Sequence, residues 1–147
     1  MRLTSFTDYG LRVLMRLAGS PDRAFSTAEL ATEFGVSRNH LAKVVSTLAS
    51  NGFLKTSRGG GGGAILARPA DEIRLGEVVS LLEADQALVE CFAPQGNTCT
   101  LTPTCRLKNR LAKAESAFIA SLNKGTLADC VFVPPRKKRP AFRSQSQ

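Results

Sequence analysis

Three cysteines, Cys91, Cys99 and Cys105, fall in the stretch ECFAPQGNTCTLTPTC with the spacing C-x7-C-x5-C. Their neighbours are Pro94, Gly96, Asn97, Thr98, Thr100, Thr102, Pro103 and Thr104, a polar loop with little reason to pack three hydrophobic thiols. Cys105 precedes a predicted helix, where the helix dipole and free N–H groups favour thiolate. The pattern therefore predicts a metal or cluster site; unliganded thiols and an internal redox disulfide are the blander readings. Structural zinc sites use close pairs such as C-x2-C, and this loop has none. The wide gaps suit a larger object with iron at several corners, and iron–sulfur clusters are held by thiolates. A zinc site with three thiolates and one oxygen or nitrogen donor stays open. The single histidine, His40, lies far away in the chain. The fourth donor must then be a carboxylate, a water or a group from another chain. Cys130, in ADCVFVPP, is flanked by apolar residues and reads as a buried or incidental thiol.

A second set of residues is suited to phosphates and base edges. Ser37, Arg38, Asn39, His40 and Lys43 sit at the start of a predicted helix whose apolar stripe is Leu41, Val44, Val45 and Leu48. Downstream, Phe53-Leu54 and Ala64-Ile65-Leu66 flank a glycine-dominated turn that carries Arg58 and Gly59. That is the pattern of a β-hairpin with a flexible tip. After a helix-turn-helix such a hairpin is a wing, with Arg58 and Arg68 placed to meet backbone or minor groove. The glycine run does not lead into a helix with Lys-Ser/Thr at its start, so a nucleotide phosphate loop is a poor reading of it.

The elements that must hold these residues are legible from periodicity. Phe6, Tyr9, Val13, Leu14 and Leu17 recur at helical spacing, predicting a helix that opens around Thr7 or Asp8. Asp8, Arg12 and Arg16 line up on another face, an ion-pair arrangement worth about 0.3–0.5 kcal/mol. Ser26 or Thr27 caps the next helix, with Glu29 completing a capping box on Ser26. Gly35 supplies the turn, Ser37 caps the recognition helix, and Asn51-Gly52 ends it. LGEVVSLLEAD is a further short helix. From Cys105 to Gly125, the apolar seam Leu107, Leu111, Ala114, Phe118 and Leu122 predicts a long helix. Its apolar face exceeds what a small head can cover, so pairing with a second copy, suited to a palindromic operator, is expected.

Charge agrees with this layout. Residues 1–70 carry nine Lys/Arg against four Asp/Glu, 71–135 six against eight, and 136–147 five against none. The basic first half and tail suit a polyanion such as double-stranded DNA. The tail RKKRPAFRSQSQ is expected to be disordered, with at most a weak phosphate contact. With 147 residues the chain has one modest core. No run of about 18 apolar residues exists, and the N-terminus lacks a secretory pattern, so no membrane association and a cytoplasmic location are expected.

The stretches LTSFTDYGLRVLM, GVSRNHLAKVVSTLASNGFLKTSRG and GGAILARPADEIRLGEVV, with the three cysteines before a long helix, resemble the nitric-oxide-sensitive NsrR branch of the bacterial iron–sulfur winged-helix regulators, a family that includes IscR. The resemblance covers roughly residues 1–125. It implies a homodimeric repressor with an iron–sulfur cluster, 4Fe-4S favoured and 2Fe-2S the alternative, held by Cys91, Cys99 and Cys105. The fourth ligand it implies is Asp8 from the partner's first helix, with Arg12 beside it. IscR-like relatives place a histidine three residues after the last cysteine, where this chain has Lys108. The seven-residue first cysteine gap is longer than usual in that branch.

The reading is thus a mainly α protein, not an enzyme. A winged helix-turn-helix head with a β-hairpin wing spans 1–84, a cluster-binding loop 85–104, a dimerisation helix and following segment 105–130, and a basic tail 131–147. The expected function is derepression of nitric-oxide detoxification genes when nitric oxide reaches the cluster. The alternatives are a cluster regulator of iron or redox status and a zinc-stabilised DNA-binding protein.

Overall fold

The computed structural model describes residues 2–60 and 62–135. The expected disordered tail at 136–147 lies outside the described residues, as does residue 61.

The first helix, α1 (Ser5–Ala18), starts two to three residues earlier than its apolar spacing suggests. The reason is Thr4, whose backbone is extended and whose hydroxyl accepts the Thr7 N–H at 3.2 Å, satisfying a donor that the helix itself cannot. The expected Asp8–Arg12 pair forms at 2.7 Å. Arg16 departs from the expected polar face: it is 6% exposed and bonds Glu33 at 2.7 Å. Each four-residue step overshoots the 3.6-residue turn, and two such steps carry Arg16 round from Asp8 into the next helix.

That helix, α2 (Thr27–Phe34), carries the expected capping box: the Ser26 hydroxyl accepts the Glu29 N–H, and Glu29 accepts the Ser26 N–H at 2.8 Å. These bonds, with Arg23 alongside, hold the Glu29 carboxyl below its ordinary value of 4.5. Gly35 ends α2 in the left-handed region at φ 67°, where a side chain would be strained. After that turn comes α3 (Arg38–Ser50), capped by Ser37. β1 (Leu54–Thr56) then pairs antiparallel with β2 (Ala64–Leu66) in the register Leu54↔Leu66, Lys55↔Ile65 and Thr56↔Ala64. Phe25 adds a third rung at the base of the hairpin, exchanging two backbone hydrogen bonds with Ala64 at 2.8 and 3.1 Å. Gly63 passes so close to the Phe25 backbone that a Cβ there would lie 2.7 Å from it.

The core gathers Val13, Leu14 and Leu17 of α1, Leu30 of α2, and Leu41, Val44 and Leu48 of α3, all at most 1% exposed. A short helix α4 (Leu75–Leu82) adds Val78 and crosses α1 at Gly10, where a Cβ would collide with Leu82. Leu127, in the turn Leu127–Cys130, completes the core, and its N–H bonds the Ile73 carbonyl at 2.8 Å. The segment after the long helix, grouped by the sequence with that helix, therefore folds back onto the head. Phe132 continues it along α1, bonding the Met15 carbonyl at 3.3 Å.

The long helix itself, α5 (Arg106–Leu122), has no buried residue. It ends at Asn123 rather than Gly125, because Asn123 closes the last turn and also serves α4: its Oδ1 accepts the Glu77 N–H at 3.1 Å. α4 has no side-chain cap of its own, so a residue 46 positions away supplies one. Contact is close at Gly76, where a Cβ would lie 2.6 Å from the Ile119 carbonyl oxygen. α5 is thus fastened at its C-terminal half, with Leu107 left 61% exposed near its start. No helix among the described residues is long and apolar enough to cross a membrane.

Candidate DNA interface and cysteine loop

At the start of α3, Ser37, Arg38, Asn39 and Lys43 are exposed, and the first turn holds no acidic residue. The Ser37 hydroxyl is engaged as the cap, accepting the His40 N–H at 3.4 Å. His40 differs from its neighbours. Its ring is half-buried, edge-on to Tyr9 at 5.2 Å and stacked on Phe6 at 6.4 Å. It therefore ties α3 to α1.

The wing presents Arg58 and Gly59 at its tip, both exposed. Gly59 takes φ 107°, a conformation that needs glycine, and its carbonyl accepts the Gly62 N–H at 2.9 Å. Arg68, expected to meet DNA, is engaged elsewhere. Its guanidinium stacks over Phe53 at 4.7 Å and pairs with Glu77 at 2.7 Å, fixing the wing base to α4. A cleft between α2, α3 and the wing is lined by Thr27, Arg38, Thr56 and Ser57. The hydroxyl residues there were missed by the sequence reading, although Thr56 and Ser57 directly precede Arg58. Together these groups form one donor-rich edge of the head, which is the chemistry of phosphate contact.

The cysteine loop begins where α4 stops. Cys91 lies in the short turn Glu90–Phe92, Cys99 in irregular chain, and Cys105 at the cap position of α5, after the turn Thr102–Thr104. All three thiols are free and half-buried, as is Cys130. The loop is organised by Glu90 and Asn97, neither of which the sequence reading singled out. One oxygen of Glu90 accepts both the N–H and, at 2.8 Å, the hydroxyl of Thr98, which ties the Cys91 turn to the Cys99 segment. The Thr98 N–H, then the Thr98 hydroxyl, and to a lesser degree the Cys99 N–H hold the Glu90 carboxyl below 4.5. Asn97 accepts the Cys99 N–H at 3.1 Å and donates to Thr102 at 3.1 Å. A carboxylate eight residues from its partner across irregular chain carries no periodic signal, so only the folded loop reveals it.

Asp8 and Arg12 are half-exposed and paired on α1. Among the described residues, no three of the histidine, cysteine, aspartate and glutamate side chains converge on a common point. The loop donors are the right kind for iron, three free thiols on one tethered segment. A single chain does not pre-assemble them, and Asp8 does not join them within it.

The sequence profile of the Rrf2 family, described as iron-dependent transcriptional regulators, matches residues 3–132. Solved structures with the same fold include Bacillus subtilis CymR, the global cysteine regulator, at 23% identity over 88% of this chain and 95% of that one (TM-score 0.67). IscR of T. potens is 24% identical over 88% and 85% of the two chains (TM-score 0.69). The oxidised form of Staphylococcus aureus CymR is 26% identical over 91% and 99% (TM-score 0.68).

Proposed function

Because the chain belongs to the Rrf2 family of transcriptional regulators, a DNA-binding and non-enzymatic family, we propose that it is a homodimeric iron–sulfur repressor whose operator binding is relieved by nitric oxide. The observation that carries this reading is the set of free, half-buried thiols at Cys91, Cys99 and Cys105, on a loop tethered by Glu90 and running into α5. Residues 1–84 act as the DNA-reading head, 85–104 as the cluster loop and 105–130 as the dimerisation helix and its return segment. Ser37, Arg38, Asn39, His40, Lys43, Arg58 and Gly59 form the operator contact, Arg38 and Lys43 through charge and Asn39 through its amide.

Cys91, Cys99 and Cys105 would hold a cluster, 4Fe-4S in preference to 2Fe-2S, with Asp8 of the second copy as fourth ligand and Arg12 beside it. A cluster bound there would supply an iron held on one side by an oxygen donor weaker than thiolate, and so open to a diatomic molecule. The protein's part follows from geometry. Asp8 sits one turn into α1, and α1 carries Phe6 and Tyr9 against His40 of the recognition helix. Release of Asp8 would let α1, and with it α3, move relative to the other head. Two recognition helices reading half-sites one turn apart must stay about 34–36 Å apart, so a small rotation weakens operator binding.

The dimer is supported by α5. Leu107, Leu111, Ala114 and Phe118 share a face turned away from Ile119 and Asn123, which meet α4. An iron-status signal is the second reading, favoured by the family's description as iron-dependent.

Anaerobic purification with absorbance spectra and iron, sulfide and zinc analysis tests the cofactor, and a colourless zinc protein refutes it. Nitric oxide titrated into an operator-binding assay tests the signal. Unchanged affinity, with affinity instead following iron supply, selects the second reading.

A further inference from the structure

The N-terminus of α1 is held by a carboxylate that belongs to a different element. Glu83 is the residue on which α4 ends, its own N–H bonded to the Val79 carbonyl at 3.0 Å, and the next residue begins the run into the cysteine loop. Its Oε1 accepts both the Thr4 N–H at 2.8 Å and the Thr4 hydroxyl at 2.9 Å. Proton accounting then orders the remaining bonds. The single Thr4 hydroxyl proton goes to Glu83, so at the 3.2 Å contact between the two hydroxyls Thr7 is the donor and Thr4 the acceptor. The Thr4 oxygen also accepts the Thr7 N–H at 3.2 Å. Thr7 is fully buried, and its successor Asp8 bonds the Thr4 carbonyl through its own N–H at 3.0 Å. A directed chain thus runs from Glu83 through Thr4 and Thr7 to the first turn of α1, where Asp8 projects.

A helix cap alone does not require this arrangement, because Thr4 already caps α1. Glu83 instead joins two points 79 residues apart in sequence: the start of the helix that bears Asp8 and the start of the loop that bears the thiols. Burial opposes its charge, yet interaction with Thr7 and the two bonds from Thr4 keep the carboxyl below 4.5, so the tie is charge-assisted.

We infer that Glu83 is a positioning residue for Asp8, fixing the first turn of α1 to the root of the cysteine loop so that each chain's Asp8 is set at a defined height over its partner's thiols. This rests on the proposed role of Asp8 as a ligand in trans. Through this tie, a movement of the loop in one chain is passed to that chain's own α1 as well as to its partner's.

The test uses the anaerobically purified full chain with Glu83→Ala, Glu83→Gln and Asp8→Ala. Supporting outcomes are four. Glu83→Ala keeps wild-type iron and sulfide, held by the cysteines, but shifts the absorption and resonance Raman spectra toward those of Asp8→Ala. It reacts with nitric oxide faster, by about tenfold, the low end of the 10–100-fold in metal affinity or activity that outer-shell partners carry. Glu83→Gln, which keeps an acceptor oxygen for Thr4, returns most of the wild-type spectrum. In cluster-free protein, the amides of Thr7 and Asp8 also exchange hydrogen faster in Glu83→Ala. Should that variant fail to fold, Glu83→Asp, which keeps the charge but draws the carboxylate back from Thr4 by one methylene and leaves the Thr4 cap of α1 in place, must give the same spectral shift. A wild-type spectrum in Glu83→Ala with only a lower melting temperature overturns the inference while leaving the proposed function intact. If Asp8→Ala itself is spectrally unchanged, the trans ligand is wrong and the inference falls with it.

Discussion

Replacing Glu33 by alanine strands a buried cation. Arg16 has 8% of its side chain exposed and is held by three contacts: Glu33 at 2.7 Å, the Ser20 hydroxyl at 3.0 Å and the face of Phe25 at 4.4 Å. Breaking a fully buried pair by removing one partner destabilises by about 3–5 kcal/mol. Here the Glu33 carboxylate is 36% exposed, so solvent already screens the pair, and Ser20 and Phe25 remain to serve the guanidinium. The expected loss is therefore about 1–2 kcal/mol, or roughly 3–8 °C in Tm for a chain of this size. Arg16→Met removes the charge and keeps the length, leaving Glu33 in contact with water. The double variant should be no less stable than Arg16→Met alone, because an exposed carboxylate without its partner has nothing further to lose. Urea unfolding followed by circular dichroism, with m-values compared to exclude denatured-state effects, measures all three. The reasoning is refuted if Glu33→Ala lies within about 0.3 kcal/mol of wild type, or if the two losses simply add.

Other expectations follow from single sites. Gly76→Ala forces a Cβ toward the Ile119 carbonyl and Asn123, and should lower stability by about 1–3 kcal/mol and quicken proteolysis within α5. Leu107→Glu, at a position 61% exposed, should leave the thermal midpoint nearly unchanged, convert a dimer to monomer by light scattering and weaken operator binding about 100-fold through lost avidity. An unaltered mass would remove α5 from the dimer interface. Ser37→Ala should remove about 1 kcal/mol by uncapping α3, with operator affinity falling as well. Because folding lowers the Glu83 pKa, its contribution is present above the ordinary value of 4.5 and is lost as pH falls through it toward the folded value. Melting profiles of Glu83→Gln should therefore converge on wild type at acid pH and diverge above it.

The sequence by itself determined the order and type of the elements. Helical spacing in Val13, Leu14 and Leu17, the Ser26/Glu29 capping box, the Gly35 turn and the short apolar runs flanking the glycine run are local features, set by neighbours within a few residues. It also picked out the three thiols, because cysteine is rare and their clustering is a property of the chain itself. Only the tertiary structure decided which polar groups are spoken for. Arg16 and Arg68 looked like surface cations, yet one is buried against Glu33 and the other is clamped between Phe53 and Glu77. Glu83, Glu90 and Asn123 carry no motif, yet each ties together backbone from elements or loop segments that lie apart in the sequence. A hydrogen bond spanning 79 residues leaves no periodic trace in the sequence. Its partners are brought within 3 Å by the burial of apolar faces on the helices that carry them, and no local propensity encodes that encounter.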